Sequence, residues 1–106
     1  MFWKKQDTET ARLDAERNAQ AKAHAENYVP PVKRIGEFVG IGDHACRASE
    51  IEEISFGEYP FEDGRSGFDN VVIDYKSGTT RDFTVPLYTG SKWAAEILKA
   101  VNGGGK

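Results

Sequence analysis

Cysteine is nearly absent: Cys46 is the only one in 106 residues. A single thiol excludes an internal disulfide framework and fits a reducing compartment, so the cytoplasm is the expected location. Long apolar runs are missing too; nothing approaches the roughly 18 residues that a membrane-spanning helix needs. Met1-Phe2-Trp3-Lys4-Lys5 is basic and apolar, but no hydrophobic core follows, so it does not read as a secretory signal. Clustered positive charge is also lacking. The net charge is −3, which argues against direct nucleic-acid binding, because phosphate contacts need grouped Lys and Arg.

Base is scarcest between Ala48 and Asp74. There eight acids (Glu50, Glu52, Glu53, Glu58, Glu62, Asp63, Asp69 and Asp74) face Arg65 alone. Such a run is either a solvated, loop-rich face or a surface that docks on a basic partner and competes there with nucleic acid. Tyr59, Phe61 and Phe68 flank its most polar part. Aromatics in an acidic loop suit a protein-binding surface, or they pin the loop to a sheet.

Signatures of catalysis and of cofactors are thin. Gly40-Ile41-Gly42-Asp43-His44-Ala45 satisfies G-x-G-x-x-A after a predicted strand, but no long helix opens there and too little chain follows for a doubly wound sheet. His44 and Cys46 lie two apart without a third ligand nearby, and the other histidine, His24, lies across a proline break. Residues 62–70 carry carboxylates and glycines without calcium-loop spacing. The expectation is therefore no cofactor, no metal and no enzymatic activity. The apolar surface is expected to be consumed in closing the fold, leaving no cleft.

Large apolar residues are rare from 7 to 27, where Leu13 stands alone, while alanine recurs at 11, 15, 19 and 23. Alanine favours helix and lets a second helix approach closely, so this stretch reads as an Ala-rich helical arm. The arm either projects, self-associates through Ala11, Ala15 and Ala19, or docks on the chain's own sheet. Asn27-Tyr28-Val29-Pro30-Pro31 ends it, its prolines making a stiff spacer, giving an arm and linker over 1–31 and a compact domain over 32–106.

The domain is organised around Val71–Asn102. Two alternating runs, Val71–Lys76 and Thr80–Val85, flank Ser77-Gly78 as a hairpin, and Pro86 ends the second strand. A helix from about Ser91 follows, with Trp93, Ile97, Ala100 and Val101 on one stripe and Trp93 as the main core plug. Upstream, Lys33–Ile41 reads as one strand with Ile35, Val39 and Ile41 facing the core, and Asp43–Arg47 as a turn or short strand. Ser49–Ile54 reads as a helical turn, and Ser55–Tyr59 as a strand with Phe56 inward. The predicted class is α+β: an antiparallel sheet of four or five strands covered by a C-terminal helix. In outline, Val71–Asn102 resembles the end of a pleckstrin-homology-type module. That family would imply a basic phosphoinositide-binding loop, which this sequence lacks, and no membership is assigned.

The leading functional expectation is a non-enzymatic protein-interaction protein, acting through the helical arm and the acidic face. Its partner-binding residues would be Glu50, Glu52, Glu53, Tyr59, Phe61, Glu62, Asp63 and Phe68, with Ala11, Ala15 and Ala19 on the arm. The alternatives are a small inhibitor, such as a viral counter-defence protein, whose acidic face blocks a nucleic-acid-binding site on a target, and a membrane-peripheral accessory held by its first five residues.

Overall fold

The computed structural model describes the backbone of residues 2–103 and the side chains of residues 8–103. Met1, the side chains of Phe2 and Trp3, which with it were read from sequence as a membrane peg, and residues 104–106 lie outside what is described; Asn102 and Gly103, expected to stop the last helix, still belong to it. The chain is α+β. Helix α1 (Phe2–Glu26) is followed by strands β1 (Val32–Ile35), β2 (Phe38–Ile41) and β3 (His44–Arg47) and a 3-10 turn at Ala48–Glu50. Strands β4 (Ile51–Tyr59), β5 (Phe68–Tyr75) and β6 (Thr80–Val85) then lead into helix α2 (Gly90–Gly103). None of the described helices is long and apolar enough to cross a membrane.

The six strands form two antiparallel meanders, β1-β2-β3 and β4-β5-β6, where the sequence suggested one sheet of four or five strands. The difference comes from two glycines. Gly36 (φ +60°) and Gly42 (φ +63°) each hold the first position of a two-residue hairpin loop, Gly36-Glu37 and Gly42-Asp43. Positive φ at that position alone is the type II′ geometry, which glycine adopts without a Cβ clash. The stretch expected to be one strand is therefore two, and Gly42 serves a hairpin rather than a phosphate-binding loop. The turn also reverses Ile35: it pairs with Phe38 and is 58% exposed, whereas Val39 and Ile41 are buried as expected.

Ser49–Ile54 is likewise not a helical turn. The 3-10 turn is confined to Ala48–Glu50, and Ile51 already begins β4 with Tyr75 as its partner. The β5–β6 hairpin matches its alternation: Val71, Ile73 and Val85 are buried, and Arg81 and Phe83 lie half-buried on the same face. Phe56 pairs with Val71 on that inward face, yet on the edge strand β4 it is 43% exposed.

Between the meanders lies a core of Val39, Ile41, Ala48, Ile51, Val71, Ile73, Val85, Trp93 and Ile97. Helix α2 supplies Trp93 and Ile97 from the expected stripe, with Ala100 and Val101 half-buried beside them. Both of its ends are tied down. The Gly90 N–H donates to Asp69 Oδ2 at 2.8 Å, and Arg34 Nη1 donates to the carbonyls of Ala100 and Val101 at 2.9 and 3.1 Å. A carboxylate at the N-terminus and a guanidinium at the C-terminus satisfy orphan backbone groups and match the helix dipole. One comes from β5 and the other from β1, so α2 fastens both meanders together.

Candidate functional site

Helix α1 turns a polar stripe inward. Asp14 and Ala25 are buried and Thr10, Asn18 and Ala21 are half-buried, while Ala11, Ala15 and Ala19 stay exposed. The contacts explain the choice. Asn18 pairs with the backbone of Phe61 in both directions: its Nδ2 donates to the Phe61 carbonyl at 3.1 Å, and the Phe61 N–H donates to its Oδ1 at 2.7 Å. The Gly64 N–H donates to Asp14 Oδ2 at 3.3 Å. The Arg17 guanidinium sits 5.9 Å from the Phe61 ring centre, and Lys22 Nζ sits 5.7 Å from that of Tyr88. Toward its C-terminus the helix meets α2, where Lys92 Nζ donates to the Ala25 carbonyl.

These contacts bring the arm and the acidic loop together. Thr10, Ala11, Asp14, Ala15 and Asn18 form one side of a groove of about 570 Å³, and Phe61, Glu62 and Asp63 form the other. Five residues singled out from the sequence (Ala11, Ala15, Phe61, Glu62 and Asp63) therefore share one site. Among the described residues, the cation that Glu62 and Asp63 meet is Arg65, at 3.9 and 3.8 Å, with all three side chains largely in water. Such pairs contribute about 0–1 kcal/mol and exchange readily for another cation. Asp14 differs from them. It is 7% exposed, and its Oδ1 has no hydrogen-bond partner among the described residues. Sequence periodicity does not reveal it, because a charged residue in a polar helix gives no hydrophobic signal.

The backbone of this loop is built to hold its shape. Asp63 (φ 54°) and Gly64 (φ 76°) adopt left-handed conformations. A Cβ on Gly67 would come within 2.7–2.9 Å of Phe61 and Leu87, so only glycine lets the chain pass there. Phe61 is thus pinned between α1 and the loop. Tyr59 and Phe68 stack with ring centres 5.1 Å apart and remain 52% and 37% exposed. With Glu58, Glu62 and Arg65 they line an adjacent groove of about 390 Å³.

The remaining acids do not join this surface. Glu50 lies on the 3-10 turn, Glu52 is the unpaired residue of a bulge at the start of β4, and Glu53 follows it. At about 3.3 Å per residue, Glu53 is on the order of 20 Å from Tyr59 along the strand. Glu52 and Glu53 instead border a groove against Ala94, Ala95 and Leu98 of α2. Across the outer face of the second meander, Glu53 pairs with Asp74, and Val72 with Asp82, so two further carboxylates extend this patch. Sequence reasoning missed them as site residues because strands spread neighbours in space across distant positions in the chain.

The expectation that no cleft remains is not met. A cavity of about 360 Å³ opens between the Gly42-Asp43 turn and β6, lined by Tyr28, Ile41, Asp43, His44, Arg81, Phe83 and Trp93 among others. Cys46 is not in this lining. It lies against Tyr75, whose hydroxyl pKa is pushed up by burial and by the thiol, with Arg81 opposing. His44 Nε2 lies 3.4 Å from Asp43 Oδ1 in an exposed pair. Among the described residues no group of three or more His, Cys, Asp or Glu could hold a metal ion.

Comparisons with protein-family models, with curated proteins and with solved structures find no match to this chain.

Proposed function

We infer that the protein acts by binding rather than by catalysis, and that it receives a basic helical segment of a protein partner in the groove between α1 and the 61–64 loop. The observation that carries this reading is the buried Asp14 carboxylate, one oxygen of which is an orphan among the described residues, in the lining of a groove that also bears Glu62 and Asp63. A buried carboxylate oxygen without a donor costs about 1–3 kcal/mol or more, and a lysine or arginine from a partner would relieve that cost. Ala11 and Ala15 form a wall with no bulk, which suits close approach of a second helix. The exposed Tyr59–Phe68 stack beside the groove adds the aromatic area on which interfaces draw.

The reading is tested by affinity capture with the full chain at low and high salt, beside two variants. The Glu62→Gln/Asp63→Asn double variant removes rim charge, and Ala15→Phe fills the alanine wall without adding charge. A basic partner retained by the native chain should be lost at high salt and in both variants. Equal capture by all three proteins, insensitive to salt, would contradict the reading.

A further inference from the structure

The cavity between the Gly42-Asp43 turn and β6 is separate from the arm–loop groove, and unlike that groove it holds a cation, Arg81. Its walls are apolar and aromatic: Phe83 meets Trp93 edge-on at 5.4 Å between ring centres, and Tyr28 lies 6.4 Å from Trp93. One cation in that lining lacks the anion expected of it. Arg81 is half-buried on the inward face of β6, and among the described residues no carboxylate lies within ion-pair distance of it. Its neighbour is the Tyr75 hydroxyl, which engages only part of a five-donor guanidinium. A half-buried guanidinium with no carboxylate partner among the described residues is unusual in a protein that carries a net charge of −3.

We propose that this cavity is a binding site for a small aromatic carboxylate, its ring held among Tyr28, Phe83 and Trp93 and its carboxylate held by Arg81. The volume of about 360 Å³ lies at the lower end of the range for small-molecule sites and sets the size at one or two rings. A planar carboxylate matches the fork of a guanidinium, which a neutral ligand of the same shape does not. The Asp43–His44 pair stands at the outer rim, where the Asp43 carboxylate repels a second negative charge and favours a monoanion. The site is independent of the protein-partner reading, since none of its lining residues belongs to the arm–loop groove.

The test follows the indole N–H resonances of the full-length, nitrogen-15-labelled chain. Its two tryptophans give two signals, and Trp3→Phe leaves that of Trp93 alone. Titration with 2-naphthoate should shift the Trp93 signal saturably. The neutral 2-naphthylmethanol, with the same rings, should bind about tenfold or more weakly, as loss of a charge-assisted contact requires. Arg81→Gln should weaken naphthoate by a similar factor, and Arg81→Lys should retain part of the affinity. A Trp93 signal unmoved up to the solubility limit of naphthoate overturns the proposal. So does equal affinity for the alcohol, a comparison that needs no variant to fold, or a folded Arg81→Gln chain that binds as the native one does.

Discussion

Among the described residues, three buried side-chain atoms without partners, on Asp14, Asp69 and Trp93, stand out at the scale of single residues. Asp69 is the one with a clear structural task. It is fully buried, and its other oxygen holds the Gly90 N–H at the head of α2. Asp69→Ala removes that acceptor and strands the N–H, so we expect a loss of about 1–3 kcal/mol in urea unfolding. A change below about 0.5 kcal/mol, the range of ordinary surface substitutions, would contradict the capping role. Tyr75 gives a pH dependence. Its pKa is raised, chiefly by burial, above the ordinary value of about 10, so between the two values the folded chain holds a proton that the unfolded chain has lost. Its contribution to stability is therefore intact below about pH 10 and falls as pH rises through the folded-state value. Unfolding midpoints measured at rising alkaline pH should fall more steeply for the native chain than for Tyr75→Phe. Parallel slopes would contradict this.

At the scale of elements, helix α1 is held by polar contacts rather than by an apolar face. Asn18 acts as a short piece of strand, offering a donor and an acceptor to the backbone of Phe61. Asn18→Ala should leave the two-meander core intact and loosen the arm. Hydrogen exchange should then quicken at the Phe61 and Gly64 amides while the β5 amides stay protected; unchanged exchange at Phe61 would contradict the contact. The same helix marks the limit of what the sequence revealed. The β5–β6 hairpin and the α2 stripe were legible because Val71, Ile73, Val85, Trp93 and Ile97 follow the periods of strand and helix. The docking of α1 was not, since Thr10, Asp14 and Asn18 give no apolar period. The split into two meanders was hidden by Gly36, which sits in an otherwise alternating run and reveals its turn only through positive φ. Of the candidate site, Ala11, Ala15, Phe61, Glu62 and Asp63 were legible as types. Their convergence was not, because it depends on bonds that span 43 and 50 residues.

For the molecule as a whole, two faces of different chemistry follow from one arrangement. Helix α2 fastens the meanders at one side through Asp69 and Arg34, and the Gly42-Asp43 turn stands off from β6 to leave the donor-lined cavity. Helix α1 adds the acidic groove. Its 25 residues correspond to about 37 Å, and the radius of gyration is 17.2 Å against the roughly 13 Å usual for a compact chain of about 100 residues. An elongated protein with an acidic groove near one side should engage a basic helix there and nowhere else. The most direct measurement is an amide spectrum of the full-length labelled chain titrated with a lysine-rich helical peptide. We expect shifts confined to Ala11, Asp14, Ala15 and the Phe61–Gly64 amides, abolished by high salt. Shifts centred instead on Glu52, Glu53, Asp74 and Asp82, or spread evenly over the acids, would contradict the account.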